Sequence, residues 1–213
     1  MKKKNTFSTN KLVMAALLSA LAYILMFVGR VPMIAFLKYD PKDVIIMFGG
    51  IIFGPAMTIL ISLVVSIIEF MTVSGDGIIG LFMNVLSTIS FVTVATIIYK
   101  RTNTLKGLIS GLIVGGLLTT LVMVAWNYIV TPWFLDISRE AVVPMLLPII
   151  TPFNLIKSVI NSTIIILLYQ PVSRAMRTNK IETENQTHTG YIILISIITL
   201  ISSVILVNII NNL

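Results

Sequence analysis

The chain has 213 residues, of which 57% are hydrophobic and 11% charged, with a formal net charge of +7 and no cysteine. A soluble domain carries about 25% charged residues, so these charges are too few to cover a water-facing surface, and the solvent around much of the chain is lipid. The lack of Cys excludes disulfides, iron–sulfur clusters and thiol catalysis, and the placement of the basic residues between apolar runs accounts for the positive charge without a nucleic-acid partner.

The runs are longer than the ten-residue alternating segments of a membrane barrel and are continuously apolar. A lipid-exposed backbone has to satisfy its own hydrogen bonds, so the fold class is all-α, a polytopic membrane helix bundle. In chain order the predicted spans cover 12–28, 43 to the Gly/Pro region at 49–55, 56–73, 78–99, 105–130, 153–169 and 191–210. Only Gly49–Gly50 and Gly54–Pro55 divide the second from the third. The first six make a core domain over 1–177, followed by a polar linker at 178–189 and an additional transmembrane helix at 190–213. The tract Lys2–Lys3–Lys4 before an apolar run has the form of a signal peptide. Apolar residues continue beyond Ala20–Leu21–Ala22, however, and the expectation is a retained first helix.

Placing the N-terminus in the cytoplasm puts ten of the 15 basic residues inside: Lys2, Lys3, Lys4, Lys11, Lys100, Arg101, Lys106, Arg174, Arg177 and Lys180. Arg30, Lys38, Lys42, Arg139 and Lys157 fall in the outer half. This is the bias expected of a multi-pass cell-membrane protein with its N-terminus inside. The connections at 30–42, 74–77 and 131–151 then lie outside. Two of them are long and contain proline and aromatic residues, so a ligand opening is expected on that face.

Several polar groups stand within or beside the spans. Asn154, Lys157 and Asn161 are three and four residues apart and share one helix face. An ionisable residue in a span faces protein or a water-filled cavity; the alternative is that Lys157 snorkels to the interface. Asn127, within Trp126–Asn127–Tyr128, is either a helix cap or a ligand contact, and Trp133 suits an interfacial belt. Glu69 closes a stripe of Thr58, Ser62 and Ser66 and is either a pocket residue or a solvated charge. Asn84 forms a modest patch with Ser87 and Thr88. Gly107, Gly111 and Gly115 mark close helix packing, as do the small residues Ala15, Ala16, Ser19, Ala20 and Ala22 of the first span. HExxH, GxSxG, P-loop and GxGxxG motifs are missing, and the sole His188 sits in the polar linker. The chain is therefore expected to be no enzyme, to hold no metal and to hydrolyse no ATP itself.

Three segments are informative together: Leu37–Lys38–Tyr39–Asp40–Pro41–Lys42–Asp43, Gly50–Ile51–Ile52–Phe53–Gly54–Pro55 and Pro152–Phe153–Asn154–Leu155–Ile156–Lys157. In combination the sequence resembles the riboflavin-specific substrate-binding (S) component of energy-coupling factor (ECF) transporters over roughly 11–177. The resemblance implies a six-helix bundle that captures riboflavin from outside as a transported ligand, with no cofactor. It implies partners as well: a transmembrane coupling subunit and two cytoplasmic ATPases. The small stripe of the first span, Ala15, Ala16, Ser19 and Ala20, looks like the family's AxxxA contact surface. The implied substrate-binding set is Leu37, Lys38, Tyr39, Asp40, Glu69, Asn84, Asn127, Tyr128, Asn154, Lys157 and Asn161. Asn127, Asn154 and Lys157 are assigned to the polar edge of the flavin ring, and Lys38, Tyr39 and Asp40 to the ribityl chain. The seventh span departs from the family pattern and is expected to be dispensable for binding. Alternatives are an S component for another vitamin, such as thiamine or a deazaguanine precursor, and a non-transport membrane subunit. The cation Lys157 disfavours cationic thiamine.

Overall fold

A computed structural model describes residues 9–73, 75, 77–175 and 187–211. The lysine tract at 2–4, Ser74 and Asp76 of the 74–77 connection, and Arg177, Lys180 and most of the polar linker lie outside the described residues, as does the side chain of His188. Among the described residues, five helical stretches are long and apolar enough to cross a membrane.

The first helix, α1 (Thr9–Gly29), rises about 32 Å over its 21 residues, enough for a bilayer core of ~30 Å. A short hairpin follows, β1 (Val31–Ile34) and β2 (Leu37–Tyr39), antiparallel with Val31 opposite Tyr39. The 30–42 connection is thus ordered structure rather than a loop. Met33, Ile34 and Leu37 of the hairpin pack on Ile150, Phe153 and Ile156.

The second predicted span is corrected by α2 (Lys42–Phe53). Its 12 residues reach only about 18 Å and nine of them are buried. It is a short central helix surrounded by protein, which is why its sequence is apolar on every side. Gly54, at φ 95°, ends it in a conformation that disfavours a side chain, and Pro55 opens α3 (Pro55–Thr72) at the first helical turn, where its missing N–H costs nothing.

The fourth span is continuous from Gly77 to Thr102 but contains a π-turn. α4 (Gly77–Thr88) passes through Ile89–Thr93 into α5 (Val94–Thr102). α6 (Leu105–Leu135) is longer than predicted and runs through Pro132 to a left-handed cap at Asp136. The 131–151 connection is also largely helical: α7 (Arg139–Met145), capped by Ser138, leads through a π-turn at Leu146–Ile150 into α8 (Thr151–Ala175). The prolines at 132, 144 and 148 suggest loop, but in a bundle the freed carbonyls are satisfied by neighbours and by local π adjustments. The final helix, α9 (Thr187–Asn211), packs along α8 and touches β1.

One core cluster joins α1, α2, α3, α5, α6 and α8 around Met47, Ile61, Phe91 and Leu112. A second lies under the hairpin. Gly111 and Gly115 let α6 approach the preceding span backbone to backbone: a Cβ there would meet the carbonyl oxygens of Ala95 and Phe91 at 2.6 and 2.5 Å. A backbone neighbour cannot rotate away, so Gly111→Val is expected to cost about 1–3 kcal/mol through overpacking. Thermal unfolding in detergent should show a lowered midpoint, while Ile113→Val, on the exposed face of the same helix, leaves it unchanged.

Candidate functional site

At the hairpin end of the bundle, the central helix α2 has only its first turn, and the neighbouring helices enclose a cavity of about 1100 Å³ including its open mouth. Phe36, Ile79, Met83, Trp126, Phe134 and Phe153 are its main apolar lining. Polar lining comes from Arg30, Asp40, Glu69, Asn127, Asn154 and Lys157, placed by the end of α1, the hairpin, the end of α3, the end of α6 and the start of α8.

Four of these polar residues, Arg30, Asp40, Glu69 and Lys157, join Lys42 and Asp43 in a largely buried network of three cations and three carboxylates. Glu69 accepts from Arg30 on one oxygen and from Lys42 on the other at 2.7 Å. Asp40 lies 3.7 Å from both Lys42 and Lys157, and Lys157 is 4.0 Å from Asp43. Asp43 accepts from Thr88 at 2.8 Å and from the Asn161 amide at 3.3 Å, and Tyr39 donates to Asn161 at 2.8 Å. Burial pushes the Tyr39 phenol above its ordinary value, helped by the Asp40 and Asp43 carboxylates, so Tyr39 stays a neutral donor. Burial alone would raise the carboxyl of Asp40, but Lys157, Lys42 and Arg30 outweigh it and hold it below the usual range. The stability this gives is present above the ordinary Asp pKa and is lost as pH falls through the lowered one.

The cavity amides are oriented by their own helices. Asn127 donates to the Met123 carbonyl at 2.7 Å and accepts from Thr131 at 2.8 Å. Asn154 donates to the Ile150 carbonyl at 2.8 Å. Each keeps an amide hydrogen for a ligand. Asp40 Oδ1 is buried without a side-chain partner among the described residues.

Eight of the expected binding residues line the cavity: Leu37, Lys38, Asp40, Glu69, Asn84, Asn127, Asn154 and Lys157. Tyr39 and Asn161 do not line it; they bond to each other within the network. Tyr128 points away from it and lies under the Arg139 guanidinium at 5.1 Å. The snorkelling alternative for Lys157 fails, since its ammonium meets two buried carboxylates. Sequence reasoning missed Arg30, Lys42 and Asp43 as part of the site. They read as loop charges, although the low total charge of the chain was a signal that each one present is partnered. In α1, Ala15 and Ser19 are buried in the bundle, which corrects their place on an outward contact stripe; Ala16 and Ala20 are exposed.

The sequence model of the family described as the substrate-specific component of ECF transporters matches residues 10–169. The chain belongs to this family. Among relatives of this S component, the riboflavin transporter RibU of Staphylococcus aureus is 32% identical over 185 residues, covering 83% of this chain and 97% of that one. The riboflavin transporter RibU of Streptococcus thermophilus is 29% identical over 182 residues, covering 79% and 86%. The riboflavin transporter FmnP of Bacillus subtilis is 27% identical over 171, covering 75% and 90%. A solved structure, the S component of a bacterial ECF transporter, superposes with a TM-score of 0.68 at 32% identity, covering 79% of this chain and 98% of that one. The chain is thus a multi-pass membrane transporter component and not an enzyme.

Because Glu69 holds two cations, neutralising it strands Arg30 and leaves Lys42 only the Asp40 carboxylate at 3.7 Å. Breaking a buried ion pair from one side costs about 3–5 kcal/mol. Glu69→Gln should therefore lower the detergent unfolding midpoint far more than Glu140→Gln, whose carboxyl lies on the exposed first turn of α7. Equal midpoints for the two variants would show that the network does not hold the site together.

Proposed function

We propose that this S component binds riboflavin in the cavity at the hairpin end and presents that cavity to the outside. The observation that carries the reading is the division of the cavity surface. Aromatic and aliphatic side chains suit a flat tricycle, and Asn127, Asn154 and Lys157 stand together where an imide edge needs donors and acceptors. Asp40 and Lys38 line the same space from the hairpin side and suit a polyhydroxyl chain. The names of the relatives support the same ligand. Lys157 is spent on balancing Asp40 and Asp43, so its ammonium is fixed in place rather than mobile, and the site offers no unbalanced negative charge for a cationic vitamin such as thiamine.

Orientation is inferred from charge. Lys100, Arg101 and Lys106 flank the turn at the opposite end, which fits a cytoplasmic face. With no ATP-binding motif of its own, the chain relies on a transmembrane coupling subunit and two cytoplasmic ATPases for uptake. The exposed Ala16 and Ala20 form a smooth strip on α1 where such a subunit can approach. In this Cys-free chain, a cysteine placed at exposed Ser138 should react with an impermeant reagent from outside, and one at Thr102 should not; the reverse pattern inverts the topology.

Ligand binding has an internal reporter. Of the two tryptophans, Trp126 lines the cavity and Trp133 is 74% exposed. Riboflavin should quench the fluorescence of purified protein, and Trp126→Phe should remove most of the quenching while Trp133→Phe retains it. Lys157→Ala should weaken binding by roughly tenfold to a hundredfold, corresponding to a charged hydrogen bond of about 1.5–3 kcal/mol, and Asn154→Ala by less. Binding of another vitamin but not riboflavin would overturn the assignment.

For the partner surface, Ala16→Trp or Ala20→Trp should leave flavin titration unchanged but lower cellular uptake and co-purification of the coupling subunit. Unchanged uptake would assign this strip to lipid.

A further inference from the structure

The family match ends at residue 169, so α9 lies outside it. One face of α9 is turned to the bundle: Ser196 and Ser203 are buried and Val207 and Ile210 half-buried, while Ile197, Ile201, Val204 and Ile205 remain exposed. Two serines seven residues apart allow close approach to α8. Toward its C-terminal end α9 reaches β1. There Val207 and Ile210 join Met33, Ile34 and Leu37 of the hairpin and Ile150, Phe153 and Ile156 beneath them.

This contact bears on the cavity. The hairpin and its turn place Phe36, Leu37 and Lys38 on the cavity, and Asp40 follows directly. Its ladder consists of three residue pairs with an irregularity between Pro32 and Ile34. A two-stranded hairpin of this kind is marginal on its own and is held by what packs against it. Part of that packing is supplied by α9.

We propose that α9 is a strap that positions the hairpin over the cavity and thereby sets how long a bound ligand stays. The inference rests on the cavity being the riboflavin site. α9 touches the outer wall of the hairpin and none of the cavity-lining residues belongs to it, so it acts on the rate of escape and leaves the recognition contacts in place. Equilibrium binding survives its loss, in weakened form.

The test compares the full chain, a chain ended after Lys180, the full-length double variant Val207→Ala/Ile210→Ala, and the lipid-facing double variant Ile201→Ala/Val204→Ala as control. Riboflavin association and dissociation are followed by tryptophan quenching, and amide hydrogen exchange is measured across the hairpin without ligand. The expected result is dissociation about tenfold faster in the first two variants with association little changed, faster exchange at Ile34 and Leu37, and wild-type behaviour in the control. If the shortened chain does not fold, the double variant decides. Dissociation and hairpin exchange both unchanged in the double variant would overturn the strap. If the intact chain fails to bind riboflavin, the ligand assignment falls, and hairpin exchange still decides whether α9 holds the hairpin.

Discussion

The buried balance of Arg30, Lys42 and Lys157 against Asp40, Asp43 and Glu69 is the constraint on which the binding end depends. Lone charges at this depth would cost several kcal/mol each. Six of them are tolerated because every one meets an opposite charge. The groups come from the end of α1, the residue after β2, the start of α2, the end of α3 and the start of α8, so satisfying the charges also fixes where those five segments converge. The apolar core could be satisfied by several arrangements of greasy helices, whereas the charge network accepts few.

The cavity follows from the same geometry. α2 carries Lys42 and Asp43 in its first turn and therefore has to begin at the depth where Glu69 and Lys157 lie. Beyond that point the bundle axis is empty of helix, and the hairpin is folded in beside it. Polar recognition groups end up at the bottom of a space whose sides are apolar, because the groups that hold the bundle together are also those that face the opening.

The helical class, the approximate spans and the polar stripe of α8 were legible because they rest on composition and on three- and four-residue spacing. Asn154 and Lys157 were placed that way. Depth was not legible: Asn161 is on the same face but two turns beyond Asn154 and one beyond Lys157, where it meets Asp43 and Tyr39 instead of the cavity. Phase was not legible in helices that are apolar all round. Asn127 and Tyr128 are neighbours in α6, yet one lines the cavity and the other lies under Arg139, and in α1 Ala15, Ser19 and Ala22 are buried while Ala16 and Ala20 are exposed. The partners of Glu69 are 27 and 39 residues away, and no local pattern connects them. The 131–151 segment read as loop because proline signals are calibrated on water-exposed chains, where a displaced carbonyl has solvent to turn to.

The equality of positive and negative groups in the network has an electrical consequence. A charge moved through the full membrane potential does work of about 2.3 kcal/mol per 100 mV. A neutral cluster carrying a neutral ligand can change its depth or tilt in the bilayer without the resting potential favouring either position. Replacing one carboxylate by an amide would leave a net cation at the site, and every such movement would then run with or against the field. With all three carboxylates ionised, the pairing that holds the binding end together also makes it indifferent to voltage.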